Sequence, residues 1–283
     1  MKPYIKEMRI KSWLKNVFIF IPLVFSLELL HTSALLNTLV AFTAFCLVSS
    51  AIYLFNDICD ADKDALHPVK QTRPIASGTI SKRKAAIFAI LLVSIGLAAG
   101  FAAGYLTGIL IAAYIVLNLL YSLWLKHQCV FDVFSIAAGF VLRIYAGGAA
   151  SGAPVSDWLF LTVVAMSLFM AFGKRRGELL NVEDHNRRDV LLWYDAKFLS
   201  GMIFICAGLA VVFYALWAMS RGKNMIYTVP LIVFILSKYL LLLHYKGSHG
   251  DPTTVILEDK VLLFACGIYA LITVALLYFG KAV

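Results

Sequence analysis

The chain has 283 residues, of which 61% are hydrophobic and only 14% are charged. In a soluble domain roughly a quarter of the residues are charged, so this composition excludes an ordinary water-soluble protein. The five cysteines are scattered and form no Cys-x-x-Cys pair, which argues against a disulfide framework and a zinc site.

The N-terminal residues 1–15 are basic and amphipathic, and no small-residue cleavage site follows a short apolar core. This pattern is not that of a removable signal peptide. It predicts an interfacial helix over 1–15, with Trp13 and the lysines at the level of the lipid headgroups.

A membrane-spanning helix needs about 20 predominantly apolar residues. Such runs spread evenly along the whole chain, which predicts a single all-α integral membrane domain over residues 1–283. The nine predicted spans are 16–33, 36–55, 85–104, 106–124, 132–150, 156–173, 199–219, 225–245 and 260–280.

The basic residues indicate the orientation of these spans. Of the 25 lysines and arginines, Arg143 and Lys238 lie within predicted spans, and Arg221, Lys223 and Lys281 lie on one side of the membrane. The remaining twenty lie on the other side, which the positive-inside rule makes cytoplasmic. We expect an inner (plasma) membrane protein with a cytoplasmic N-terminus and active site and, after nine spans, an external C-terminus.

The net charge of +9 therefore does not indicate a nucleic-acid partner, because no basic surface interleaved with aromatic residues accompanies it.

An acidic cluster follows the second predicted span. Asn56, Asp60 and Asp64 recur every four residues and share one helical face, and Asp57 borders that face. Carboxylates crowded at a helix C-terminus oppose both the helix dipole and one another, so a cation should compensate them. Oxygen ligands of this kind suit Mg²⁺, which commonly binds one or two carboxylates together with substrate phosphates. The alternative interpretation is a solvated acidic helix end.

The loop after this cluster contains His67, Lys70 and Arg73 between two prolines and Gly78. The prolines stiffen the path of the loop, so Lys70 and Arg73 are predicted to face an anion, and arginine can bind a phosphate through two hydrogen bonds. For His67, we weigh a role as a phosphate ligand or general acid against that of a simple loop hydrogen bonder.

A second polar group begins at the end of the fourth span with Tyr121 and Lys126, and Asp132 opens the fifth span. Arg143 lies eleven residues further along, roughly 16 Å into the membrane at 1.5 Å per residue. An arginine at this depth is costly and marks a functional site by default. The alternative is a structural ion pair with an acidic residue.

The sixth span ends in Lys174, Arg175 and Arg176, followed by Glu178. Adjacent helical residues point in different directions, so at most two of the three cations face one site. Lys238 has no acidic neighbour at helical spacing, and the sequence assigns it no role.

The motif Asn56-Asp57-x-x-Asp60-x-x-x-Asp64 resembles the first aspartate-rich motif of the UbiA superfamily of membrane prenyltransferases. This resemblance implies a nine-helix transmembrane bundle whose substrate cavity opens sideways to the lipid. The usual second motif, Asp-x-x-x-Asp, is absent.

In its place stand the Tyr121–Lys126 stretch, Asp132 and Phe140-Val-Leu-Arg143. Together with the 67–78 loop and Gly173-Lys174-Arg175, these motifs are similar to those of the decaprenyl-phosphate phosphoribosyltransferase branch.

That resemblance implies Mg²⁺-dependent transfer of 5-phosphoribose from phosphoribosyl pyrophosphate to a polyprenyl phosphate, with release of pyrophosphate. Asn56, Asp57, Asp60 and Asp64 would bind the metal. The catalytic residues would be Asp57, Asp60, Asp64 and Asp132. The substrate-binding residues would be Asn56, His67, Lys70, Arg73, Tyr121, Lys126, Arg143, Lys174 and Arg175.

Two other functions stay open at this point. One is an aromatic prenyltransferase of the same fold that uses a polyprenyl diphosphate. The other is a transporter in which Arg143 and the acidic cluster bind a moving solute. Self-association of the chain is also left open.

Overall fold

The computed structural model describes residues 2–180, 189–245, 255 and 258–279. Arg187, Arg188, Lys246 and Lys281, which contributed to the orientation argument, lie outside the described residues. The chain divides into two compact units, Met1–Leu125 with Leu142–Pro154, and Lys126–Val141 with Val155–Val283. The single catalytic domain expected over 1–283 stays a prediction.

The first unit is helical throughout its regular elements. In chain order these are α1 (Lys2–Glu7), a 3₁₀ helix (Ile10–Ile19), α2 (Phe20–Phe25), a 3₁₀ turn (Glu28–Leu30), α3 (Thr32–Cys59), α4 (Ala61–Ala65), a 3₁₀ turn (Lys70–Thr72), α5 (Lys82–Ala103), α6 (Tyr105–Leu123) and the C-terminal part of α7 (Phe131–Ser151). The hydroxyl of Ser81 accepts a hydrogen bond from the Lys84 amide and so caps the start of α5. Gly104 has a φ of 153° and separates α5 from α6.

The first predicted span differs from its expectation. An uninterrupted helix over 16–33 does not form, and the interfacial helix is limited to Lys2–Glu7 rather than 1–15. Pro22 has no N–H, and its ring collides with the carbonyl four residues earlier in an α-helix. Leu27 adopts a left-handed conformation, with φ of 65°, and ends the segment.

The 3₁₀ helix and α2 nevertheless run antiparallel to α3, because their successive residues contact successively earlier residues of α3. The contacts are Trp13 Nε1 to Ser50 Oγ at 3.0 Å, Asn16 Nδ2 to Ser49 Oγ at 3.3 Å, and the Phe20 ring to the Phe42 ring at 5.4 Å. Ten 3₁₀ residues and six α residues extend over about 29 Å at about 2.0 and 1.5 Å per residue. This length matches the hydrocarbon core of about 30 Å, so the segment is long enough to cross a membrane.

A glycine allows the end of this 3₁₀ helix to approach α7 closely. A Cβ atom built on Gly147 would lie 2.0 Å from the carbonyl oxygen of Ile19. Residues without a side chain permit this kind of approach between membrane helices.

The second unit comprises the N-terminal part of α7, α8 (Asp157–Leu180), a 3₁₀ helix (Asp189–Trp193), α9 (Ala196–Arg221), a 3₁₀ helix (Lys223–Thr228), α10 (Val229–Tyr245) and α11 (Lys260–Phe279). Its core contains Phe169, Phe172, Leu199 and Leu262, all buried.

Lys238, which the sequence left without a role, pairs with Asp259 at 3.3 Å. Asp259 also accepts a hydrogen bond from the Leu262 amide, and this bond and Lys238 lower the pKa of the Asp259 carboxyl.

Eight helices in the described residues have the length and apolar composition to cross a membrane. Together with the composite first segment, they reproduce the predicted all-α multi-pass architecture and most of the predicted boundaries.

We predict that Gly147→Ala destabilises the protein, because the added methyl group has to displace the backbone at Ile19. Overpacking of this kind costs about 1–3 kcal/mol. The measurement is the thermal unfolding midpoint in detergent. Gly208→Ala is the matched control, because its Cβ would meet nothing within 4 Å. Equal midpoints for the two variants would contradict the close approach.

Candidate active site

The centre of the acidic cluster is the carboxylate of Asp57, whose side chain is only 1% exposed. Arg9 Nη2 donates to both of its oxygens, at 2.5 and 2.6 Å, and Arg73 Nη1 donates to Oδ1 at 3.0 Å. Two guanidinium groups therefore share one buried carboxylate. Such charge-assisted hydrogen bonds are the strong ones.

Arg73 also binds the second buried acid of the cluster. Its Nη1 donates to Asp64 Oδ2 at 2.5 Å. The predicted cationic loop thus folds back onto the acidic motif, and Arg73 connects the end of α3 to α4.

The N-terminal segment holds this loop in place. The Ile75 amide donates to Glu7 Oε1 at 3.1 Å, and Lys6 Nζ donates to the Thr72 carbonyl at 2.9 Å. Burial, together with the nearby Asp57 carboxylate, raises the pKa of Glu7 to about 7. Near neutral pH, Glu7 is therefore partly protonated, and the two arginines balance the charges of Asp57 and Asp64.

Asn56 and Asp60 form the outer part of the cluster. Asn56 Nδ2 donates to Asp60 Oδ2 at 3.1 Å, and both residues are half-buried at the end of α3. Their amide and carboxylate oxygens are the kind of ligand that Mg²⁺ prefers. The described residues contain no group of three or more His, Cys, Asp or Glu side chains placed to hold a metal ion. Mg²⁺ commonly takes one or two protein carboxylates and completes its shell with phosphate oxygens and water, and the carboxylate of Asp60 beside the amide of Asn56 is a ligand set of that kind.

His67 acts within the loop. Its Nδ1 accepts hydrogen bonds from the amides of Val69, at 3.1 Å, and Lys70, at 3.4 Å. This arrangement agrees with the loop hydrogen bonder considered from the sequence. Lys70 and Tyr121 are half-buried, and their substrate-binding roles stay predictions.

Arg143 is buried within the first unit. Its Nε donates to Asn16 Oδ1 at 2.8 Å and its Nη2 donates to the Tyr114 hydroxyl at 2.7 Å. Its guanidinium carbon lies 4.6 Å from the centre of the Tyr114 ring and 5.8 Å from that of Phe45, within the range of cation–π attraction. Asn16, Tyr114 and Phe45 are thus among the groups that hold this arginine, and its role toward substrate stays a prediction.

Asp132 and Arg175, predicted separately from the sequence, meet in the second unit. Arg175 Nε donates to Asp132 Oδ2 at 2.5 Å, and both side chains are fully buried. The Tyr194 hydroxyl donates to Asp132 Oδ1 at 2.7 Å and accepts from the Val130 amide at 2.8 Å. Arg175 Nη1 also donates to Glu178 at 2.5 Å. Lys126 and Lys174 are half-buried in this unit, and their roles stay predictions.

Burial also raises the pKa of Tyr194, so its hydroxyl keeps its proton and donates to the carboxylate. Both oxygens of Asp132 are thus engaged by protein donors.

Sequence reasoning missed Arg9, Glu7 and Tyr194. A signal existed for Glu7, which is the only acidic residue before Glu28 and so stands out in a basic segment. Arg9 is one of several cations near the N-terminus and lies 48 residues from its partner Asp57, so no spacing could indicate the contact.

We predict that Arg175→Gln destabilises the second unit strongly. Removing one partner of a buried ion pair leaves an uncompensated charge, which costs about 3–5 kcal/mol. Thermal unfolding in detergent measures the effect. Arg176→Gln is the matched control, because Arg176 is half-buried and donates to Ser200 at 2.9 Å. The double substitution Asp132→Asn with Arg175→Gln should recover part of the loss. An Arg175→Gln protein as stable as Arg176→Gln would rule out this structural role.

Comparison with known proteins agrees with this architecture. The model of the UbiA prenyltransferase family matches residues 17–256. The decaprenyl-phosphate phosphoribosyltransferase of Mycolicibacterium smegmatis is 35% identical, over 91% of this chain and 87% of that protein. The protein of the same name from Corynebacterium glutamicum is 34% identical, over 91% of this chain and 81% of that protein.

Among solved structures, a UbiA homolog from Archaeoglobus fulgidus bound to GPP and Mg²⁺ aligns with a TM-score of 0.77 and 18% identity, and covers 96% of this chain and 97% of that chain. At this identity the match concerns the fold alone, and it confirms the predicted fold. The chain belongs to the UbiA prenyltransferase family, and within it resembles the decaprenyl-phosphate phosphoribosyltransferases over nearly its whole length.

Proposed function

We propose that the protein transfers 5-phosphoribose from phosphoribosyl pyrophosphate to a polyprenyl phosphate and releases pyrophosphate. The observation that carries this proposal is the identity of 34–35% over 91% of the chain with two proteins named decaprenyl-phosphate phosphoribosyltransferase. In the reaction, the bond from the ribose C1 to the diphosphate oxygen breaks. A bond from C1 to an oxygen of the lipid phosphate forms.

The charge of the substrates supports this choice of donor. A phosphate monoester carries about −1.5 to −2 at neutral pH. The donor brings one monoester and a diphosphate, and the acceptor brings another monoester. Arg73, on the acidic cluster, is the anchored member of the predicted cationic set, which also includes Lys70, Lys126, Arg143 and Lys174. An aromatic prenyltransferase, with one diphosphate and a carboxylated ring, needs fewer cations.

For the metal, we propose that Asn56 and Asp60 hold Mg²⁺, while Asp57 and Asp64 serve mainly to hold arginines. The oxygen donors of Asn56 and Asp60 and the engagement of Asp57 and Asp64 with guanidinium groups support this division. Bound Mg²⁺ would stabilise negative charge on the departing diphosphate. The Archaeoglobus relative is described with Mg²⁺ bound.

The acceptor phosphate is already an anion, so its attack requires no strong base from the protein. Asp132, predicted as catalytic, accepts hydrogen bonds through both oxygens from Arg175 and Tyr194. We therefore assign Asp132 a positioning role in the packing of α7 against α8.

The direct test is an assay of purified protein in lipid nanodiscs with labelled phosphoribosyl pyrophosphate, Mg²⁺ and decaprenyl phosphate. We expect label to enter the lipid fraction. The parallel assay uses farnesyl diphosphate with 4-hydroxybenzoate. Reaction of only the second pair would replace the proposal with an aromatic prenyltransferase, and reaction of neither would favour a transporter.

We predict that Asp60→Asn lowers turnover by at least about 100-fold, because outer-ligand losses alone commonly cost 10- to 100-fold and this change removes a ligand charge. The apparent Mg²⁺ requirement should rise in the same variant. Asp62→Asn is the control, because Asp62 is 91% exposed and pairs with Lys82. Full activity of Asp60→Asn at low Mg²⁺ would contradict the metal assignment.

For the orientation, we propose a cytoplasmic N-terminus and acidic site and an external C-terminus, in the inner (plasma) membrane. An impermeant thiol reagent should label Lys63→Cys only in inverted vesicles and Lys223→Cys only in intact cells. Cys59 is exposed, so the experiment uses a Cys59→Ser background. Labelling of Lys63→Cys in intact cells would reverse the orientation.

A further inference from the structure

We propose that Arg9 and Arg73 together form a binding site for a diphosphate group, so that the N-terminal segment supplies a substrate-binding residue. This inference rests on the proposed function and adds Arg9 to it. The chemistry is that of a phosphoric anhydride bound by two guanidinium groups beside a metal, and we identify the anion as the diphosphate of the donor.

The first argument is the geometry of the two guanidinium groups. Arg9 contacts Asp57 through Nη2 alone, and Arg73 contacts Asp57 and Asp64 through Nη1 alone. In the part of the chain that the structure describes, the Nε and remaining Nη atoms of both residues donate no hydrogen bond to protein. Both side chains are 28% exposed, whereas that of Asp57 is 1% exposed. Each arginine is thus fixed on its buried side and keeps two donor atoms for an anion.

The second argument is that Arg9 is held in a fixed orientation. Its guanidinium carbon lies 4.9 Å from the centre of the Tyr53 ring, within the range of cation–π attraction. Its backbone has a φ of 49°, a left-handed conformation that residues other than glycine seldom adopt. Strain of this kind persists only where the surrounding structure imposes it, and it concentrates at functional sites.

The contacts that impose this conformation lie on both sides of Arg9. Before it, Glu7 accepts from the Ile75 amide at 3.1 Å, and after it, Trp13 donates to Ser50 at 3.0 Å. The segment is therefore fastened to the loop of Arg73 and to α3, which delivers the guanidinium to the end of α3.

The third argument identifies the anion. Asn56 and Asp60, the residues proposed to hold Mg²⁺, lie one residue before and three residues after Asp57, at the C-terminal end of α3 and directly after it. A diphosphate is the substrate group that binds a metal and several cationic donors at the same time. Arginine binds such oxygens through paired N–H groups.

A simpler account is that Arg9 only neutralises Asp57. The two accounts differ in one respect. A counter-ion becomes dispensable once its partner is neutral, whereas a binding residue does not. A double substitution at Arg9 and Asp57 therefore separates them.

The experiment measures binding of inorganic pyrophosphate, in the presence of Mg²⁺, to the full chain in nanodiscs by isothermal titration calorimetry. The main variant is Arg9→Asn, because asparagine tolerates the left-handed conformation. Losing charge-assisted hydrogen bonds should weaken pyrophosphate binding by about 10- to 100-fold. Lys11→Ala is the matched control, because Lys11 is an exposed cation on the same segment, and its affinity should be unchanged.

The double variant Arg9→Asn with Asp57→Asn should remain weak in pyrophosphate binding. If it regains wild-type affinity, Arg9 is a counter-ion only and the proposal is overturned. If Arg9→Asn does not fold, Arg9→Lys keeps the charge beside Asp57 but loses the additional donors, and it should weaken binding by roughly 10-fold. Wild-type affinity in either single variant would also overturn the proposal.

Two further titrations identify the anion and separate this inference from the proposed function. Ribose 5-phosphate and decaprenyl phosphate, which carry monoesters, should bind Arg9→Asn as they bind the wild type. If they lose affinity while pyrophosphate does not, the diphosphate assignment is wrong. If the wild type binds neither pyrophosphate nor phosphoribosyl pyrophosphate, the proposed function fails as a whole.

Discussion

The buried carboxylate of Asp57 is the interaction around which the candidate site is organised. An isolated charge at 1% exposure would carry a large desolvation cost, so it has to be paired and hydrogen-bonded. Arg9 and Arg73 satisfy that requirement from two different parts of the chain. Through this one group, the N-terminal segment and the loop after α4 are both fixed at the end of α3. As a result, guanidinium groups and carboxylates lie next to one another there.

This arrangement changes how the acidic motif is understood. The sequence treated its four polar residues as one metal-binding set on a single helical face. In the structure Asn56 and Asp57 lie in α3, Asp60 lies between α3 and α4, and Asp64 lies in α4. The structure instead separates a buried pair, Asp57 and Asp64, from a half-buried pair, Asn56 and Asp60. The prediction that something cationic compensates the crowded carboxylates was sound, but for the buried pair the cations in the structure are guanidinium groups. Helical periodicity shows which residues share a face, but it cannot show which of them the loop and the N-terminal segment cover.

Most of the fold was predictable because membrane-spanning helices can be recognised in a sequence by their length and apolar composition. The segment at 16–33 was the exception, since Pro22 and Leu27 impose local geometry that hydropathy does not reveal. Among the site residues, Arg73 was predictable from the stiff loop that carries it. The contact of Arg9 with Asp57 was not predictable. It depends on the left-handed backbone conformation of Arg9 and on the 3₁₀ helix after it, which runs antiparallel to α3. The pairing of Asp132 with Arg175 likewise joins two helices 43 residues apart.

The central claim is that Asp57 holds arginines while Asp60 holds the metal, and metal binding without substrate tests it most directly. Electron paramagnetic resonance of Mn²⁺, used in place of Mg²⁺, measures the affinity of the purified protein and of two variants. We expect Asp60→Asn to lose Mn²⁺ affinity and Asp57→Asn to retain it. Loss of Mn²⁺ binding in Asp57→Asn, with binding retained in Asp60→Asn, would contradict the account.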